Sequence, residues 1–145
     1  MWIYNLQKIE TIDDIPQGSI AYIYKITNLT NGKIYIGRKM LSSNRKTRLT
    51  KKEKLLPENK RKTFKRVIKE TDWLSYWGSN DELKKDVKDL GEHNFVREIL
   101  CFCSTKMDTS FYEMFFQMKY NVLFENSYNG HIANTKFFKG KINKL

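Results

Sequence analysis

The sequence predicts an α/β (α+β) fold, a three-stranded and mainly antiparallel sheet flanked by helices, on three observations. Ile- and Tyr-rich segments at 20–27 and 33–37 flank an Asn-Gly pair, an amphipathic stretch at 79–90 precedes an apolar run at 94–102, and an apolar helical stretch occupies 109–120. A chain of 145 residues suits one domain and can bury about two-thirds of the surface its unfolded form exposes.

Residues 1–18 read as a leader or edge segment held on the domain by Trp2, Ile3 and Leu6, and they end in the turn signal Pro16-Gln17-Gly18. The ordered domain is expected over 19–145. Between the first two strands, Asn31-Gly32 is the pair favoured in tight hairpin turns. Alternation within this hairpin puts Tyr22, Tyr24 and Ile26 on one face, Ile23 and Lys25 on the other, and Tyr35 on the side of Lys33 and Gly37. Next comes a segment without clean periodicity as far as Pro57, and Lys60–Glu70 is predicted to be a basic helix within an insertion at about 45–70. The spacing Ser79-x-x-Glu82 matches a capping box, Leu83, Val87 and Leu90 recur at helical spacing, and Gly91 stops the helix. A third strand at 94–102 and a helix at 109–120 complete the prediction.

The charge is concentrated. Between Arg45 and Lys69 there are twelve Lys or Arg against Glu53 and Glu58, which gives this stretch +10 of the net +11. With a pI near 9.6, such a block fits a polyanion whose phosphates release counterions when neutralised. It lacks the continuous apolar stripe that sinks a basic helix into a membrane, so nucleic acid is the expected partner, with a plain solvated surface as the alternative. The contacts are assigned to Lys51, Lys52, Lys54, Lys60, Arg61, Lys62, Lys65, Arg66 and Lys69.

No uninterrupted apolar run approaches the length of a signal peptide or membrane span, and a cytoplasmic protein is expected. The two cysteines, Cys101 and Cys103, are too close for an ordinary disulfide and too few for structural zinc. Glu113 is the single acid in the predicted 109–120 helix. A carboxylate there is costly to bury unless it pairs with a cation or coordinates a metal, and both roles fit.

Tyr22-Ile23-Tyr24 and Tyr35-Ile36-Gly37 together resemble the signature of the GIY-YIG nuclease superfamily, with Tyr24 and Tyr35 eleven positions apart. The resemblance continues through Tyr76-Trp77-Gly78-Ser79, Gly91 to Leu100, Ser110-Phe111-Tyr112-Glu113 and Tyr128-Asn129-Gly130. It spans about residues 20 to 134 and is nearest to small nucleases of tailed phages, which suggests a phage-infected bacterial host. What it implies is Mg²⁺-dependent (or Mn²⁺-dependent) hydrolysis of DNA phosphodiesters, of the homing type, with no small-molecule cofactor beyond the metal. Glu113 would hold the metal, Tyr24 act as general base with the basic surroundings favouring its phenolate, Tyr35 bind phosphate or water, and Asn129 brace the site. Family spacing puts the catalytic arginine at Arg45, with Arg38, Lys39 and Arg48 as alternative cations.

The chain departs from the family pattern at Tyr22, where glycine is usual, and lacks a histidine near the arginine. His93 and His131 are expected to be structural or solvent-exposed, and Trp73, Tyr76 and Trp77 to pack a helix on the sheet. A competing reading is a non-catalytic nucleic-acid-binding module that keeps the fold.

Overall fold

A computed structural model describes residues 1–145. The expected hairpin forms from β3 (Ala21–Asn28) and β4 (Ile34–Met40), and β7 (Phe95–Cys103) pairs antiparallel with β3 on its other side. The sheet does not stop at three strands. Two short strands, β1 (Trp2–Tyr4) and β2 (Gln7–Ile9), extend it to five in the order β2-β1-β7-β3-β4, with β1 parallel to β7.

The N-terminal segment is therefore part of the core, and an ordered domain starting only at residue 19 is corrected. Trp2 is fully buried, its indole N–H donates to the Trp73 carbonyl at 2.9 Å, and its ring meets Tyr22 and Tyr24 edge-on. Leu6, expected to help hold this segment, instead lies in the open turn with 98% of its surface exposed.

The basic stretch folds differently from its predicted helix. β5 (Ser42–Arg48) and β6 (Phe64–Glu70) form a separate antiparallel ribbon, linked through the one-turn α1 (Lys51–Lys54). Phe64, Val67 and Ile68 had suggested a helical stripe, yet β-branched and aromatic residues favour a strand once a partner exists. Seven residue pairs in register with β5 supply that partner.

On one face of the main sheet, α2 (Asp81–Leu90) covers a cluster containing Trp2, Tyr22, Tyr24, Ile26, Trp73, Leu83 and Val87. Its cap is Asn80, whose side chain accepts from the Leu83 N–H at 2.9 Å, so the Ser79 capping box does not form. On the other face, α3 (Lys106–Lys119) begins three residues earlier than predicted and so takes in Asp108. Ile23, Ile36, Val122 and Ile132 form the core beneath it, with Met114 and Phe116 packed against them.

A buried polar chain ties the layers together: the Asn28 amide donates to the Tyr128 hydroxyl at 3.0 Å, which donates to the Asp86 carboxylate at 2.7 Å. No helix is long and apolar enough to cross a membrane.

Trp2→Ala is expected to lower unfolding stability by about 3–5 kcal/mol, measured by urea denaturation. An unchanged midpoint would return residues 1–18 to the status of a dispensable leader.

Candidate active site

The site forms around the outer strand of the sheet, β4. In the hairpin register Tyr24 stands opposite Gly37 and Ile26 opposite Tyr35, which puts both tyrosines on the α2 face. The Tyr24 phenol lies over Gly37, where a Cβ would come within 2.5 Å of its hydroxyl and 3.1 Å of the Tyr35 ring. Gly78, at a φ of +86°, closes the other side, its Cβ position 3.4 Å from the Tyr24 hydroxyl. Two glycines thus make room for two phenols. Tyr35 also shares a hydrogen bond of 3.1 Å with Ser79, and the Tyr76 ring meets Tyr24 edge-on at 5.9 Å.

Glu113 reaches the same strand from α3, on the opposite face. Its side chain is 12% exposed, and its carboxylate lies 3.7 Å from the Arg38 guanidinium, which also donates to Ser110 at 3.1 Å. One turn further along α3, Gln117 donates to the Ile36 carbonyl at 3.1 Å. Four helical residues rise about 6 Å and two strand residues about 6.6 Å, so Glu113 and Gln117 match Arg38 and Ile36 step for step.

Asn129 completes the edge. Its amide accepts from the Ile36 N–H at 3.0 Å and donates to the Ile36 carbonyl at 2.8 Å, imitating a neighbouring strand. The bracing role expected of it is structural and buried.

Electrostatics differ from expectation. Burial is the main cause that holds the Tyr24 phenol well above its ordinary value, and the neighbouring Tyr35, Tyr76 and Tyr22 push the same way. No cation offsets this, contrary to the idea that basic surroundings favour the phenolate. Lys39, on the same face, is ion-paired to Asp72 and stacked on Tyr76 at 4.0 Å. Burial also raises Tyr35, opposed by its hydrogen bond with Ser79, with Tyr76 and the Glu113 charge adding to the rise. For Glu113 itself burial pushes the pKa up, opposed by the Arg38 charge, the Arg38 backbone N–H and His131.

The remaining predicted cations lie apart from this group. Arg45 is on β5, across a cleft of about 430 Å³ from Lys39. Arg48 is exposed at the end of that strand, on the face opposite Arg45, because the segment is extended and not helical. All twelve cations from Arg45 to Lys69 are exposed, including Lys51, Lys52, Lys54, Lys60, Arg61, Lys62, Lys65, Arg66 and Lys69. Lys65 is ion-paired with Glu53 at 2.7 Å.

Across 141 of 145 residues, positions 2–142, the chain matches the family model "Putative endonuclease segE, GIY-YIG domain". The chain belongs to this family. Neither a curated protein nor a solved structure matches it. Membership makes it a nuclease domain of the GIY-YIG class, with nucleic acid as its substrate class.

For a GIY-YIG chain the tyrosine at position 22 is unusual, and its environment explains it. Tyr22 is fully buried, donates to the Trp73 carbonyl at 3.0 Å and has its phenol raised by burial, so it is a core residue and no second base. Trp73 is buried as expected. Arg97 was missed by sequence reasoning: it lies between the Trp2 and Trp77 rings and donates to the Leu74 and Tyr76 carbonyls, holding the segment that carries Tyr76. Only its place inside the Gly91 to Leu100 motif marked it. His131 is exposed, as expected, with its ring beside Phe138.

Glu113 is the only acid within 4.0 Å of Arg38, and its folded pKa is raised. Its protonated form therefore favours folding at low pH, and the ion pair contributes only once it is charged. Arg38→Ala is expected to reduce stability more near neutral pH than below about pH 4. Denaturation at the two pH values checks this, and equal losses would show that Arg38 does not hold the Glu113 charge.

Proposed function

We propose that this nuclease domain is a metal-dependent DNA endonuclease of the homing type found in phages. The observation that carries this reading is that one short length of β4 has Tyr24 and Tyr35 on one face and Arg38 with Glu113 on the other, in a GIY-YIG chain.

Glu113 fits a divalent metal on the chemistry of its own surroundings. It is a nearly buried carboxylate with one ion pair, at 3.7 Å, and no group of three or more His, Cys, Asp or Glu gathers anywhere in the chain. That is a poor cage but a suitable single anchor for Mg²⁺ or Mn²⁺, which keep waters and take further oxygens from a phosphate. Bound there, the metal would supply Lewis-acid stabilisation of charge on the phosphate and the leaving 3′ oxygen.

The protein's own groups divide the remaining work. In its phenolate form Tyr24 takes a proton from the attacking water and becomes the neutral phenol, Tyr35 with Ser79 orients that water or a phosphate oxygen, and Arg38 neutralises phosphate charge. We favour Arg38 over Arg45 for this last role because it touches Glu113 and Ser110, whereas Arg45 lies on the ribbon. Exposed cations of the segment linking the two ribbon strands, Lys51 to Lys62, bind the DNA backbone and set affinity more than sequence choice.

The test is cleavage of supercoiled plasmid with Mg²⁺, beside an EDTA control. Glu113→Ala and Tyr24→Phe are each expected to slow cleavage by about 10²–10⁴-fold. Cleavage that survives Glu113→Ala rejects the metal anchor. A protein that binds DNA and cuts no substrate supports the binding-module reading instead. Because burial holds Tyr24 protonated, the rate should climb from roughly pH 7 to 9 as the phenolate fraction grows, and a flat profile rejects Tyr24 as base.

A further inference from the structure

The two faces of the β5–β6 ribbon differ in chemistry. Strand alternation places Ser43, Arg45 and Thr47 with Val67 and Lys69 on an inner face, which lines the cleft shared with Lys39. The outer face carries Asn44, Lys46 and Arg48 beside Phe64, Arg66 and Ile68, every one of them exposed. Ile68 is 73% exposed, although an aliphatic side chain gains nothing from water.

Lys46 and Arg66 stand directly opposite each other across the ribbon. Like charges at such a pair disfavour the ribbon in water, and a polyanion would relieve them. A two-stranded ribbon is a shape that the major groove of duplex DNA admits. Each strand has seven residues and extends about 23 Å, roughly the rise of seven base pairs.

We propose that the outer face of this ribbon reads base edges in the major groove, while Arg45 and Lys69 on the inner face grip the phosphate backbone beside the site. Asn44 can pair bidentately with adenine, Arg48 and Arg66 with guanine, and Ile68 can contact a thymine methyl. The ribbon thereby supplies the sequence choice that the buried tyrosines and Glu113 cannot. This inference rests on the nucleic-acid reading, and the experiment separates the failure of one from the failure of the other.

The full chain carrying Glu113→Gln is allowed to select from a pool of randomised duplexes, so that binding is read without cleavage. The expected result is a pool enriched in a short motif. Arg48→Lys with Arg66→Lys keeps the charge but loses the planar fork, so it should leave the salt slope of binding unchanged and weaken preference for the motif by tenfold or more. Arg45→Gln with Lys69→Gln should weaken binding to all sequences alike and lower the salt slope by about two. Binding without an enriched motif, or a motif unchanged by the Arg→Lys pair, overturns base reading by the ribbon and leaves DNA binding intact. No binding to any duplex overturns both readings.

Discussion

The outer edge of β4 is the constraint on which the rest depends. A strand edge carries unpaired N–H and C=O groups, costly to bury without partners and a template for unwanted pairing if exposed. Here a single backbone bridge, Ile34 to Ser127, and side chains beyond it take the place of a sixth strand. Asn129 saturates Ile36 in both directions, Gln117 adds a second donor to the same carbonyl, and Glu113 faces Arg38 one step on. The same arrangement that satisfies the edge delivers a carboxylate to it, so protecting the sheet and building the site are one structural act.

Burial then decides what each site group can do. Tyr24 is 1% exposed, lies against Gly37 and is surrounded by phenols, which keeps it neutral until something charged arrives. A substrate phosphate that draws Arg38 or Lys39 away from its present partner changes that balance. Low-dielectric surroundings of this kind magnify the effect of whatever charge enters them.

Much of this was legible in the sequence, and the failures have physical causes. The hairpin, α2, β7 and α3 were readable because each carries a local signal: an Asn-Gly turn, a polar cap, helical spacing or an apolar run. Glu113 stood out as an acid among apolar neighbours. The basic ribbon was misread because Phe64, Val67 and Ile68 fit a helical stripe, and only the distant pairing with residues 42–48 makes them a strand. Trp2 was undervalued because three residues give no period, and its value comes from Trp73, 71 positions away. Arg97 acts through contacts with residues remote in sequence, which no spacing reveals.

The parallel pairing of β1 with β7 joins Ile3 to Glu98. Contacts of such separation close late, because the chain entropy of the loop must be overcome first. During synthesis the first strand has only the short β2 beside it until the seventh has emerged, and Ile36 on β4 has no side-chain amide over it until Gln117 and Asn129 follow. Any shortened product ending before that point lacks the brace on Ile36, so the finish of an early strand and the arrival of a late segment are coupled by topology alone.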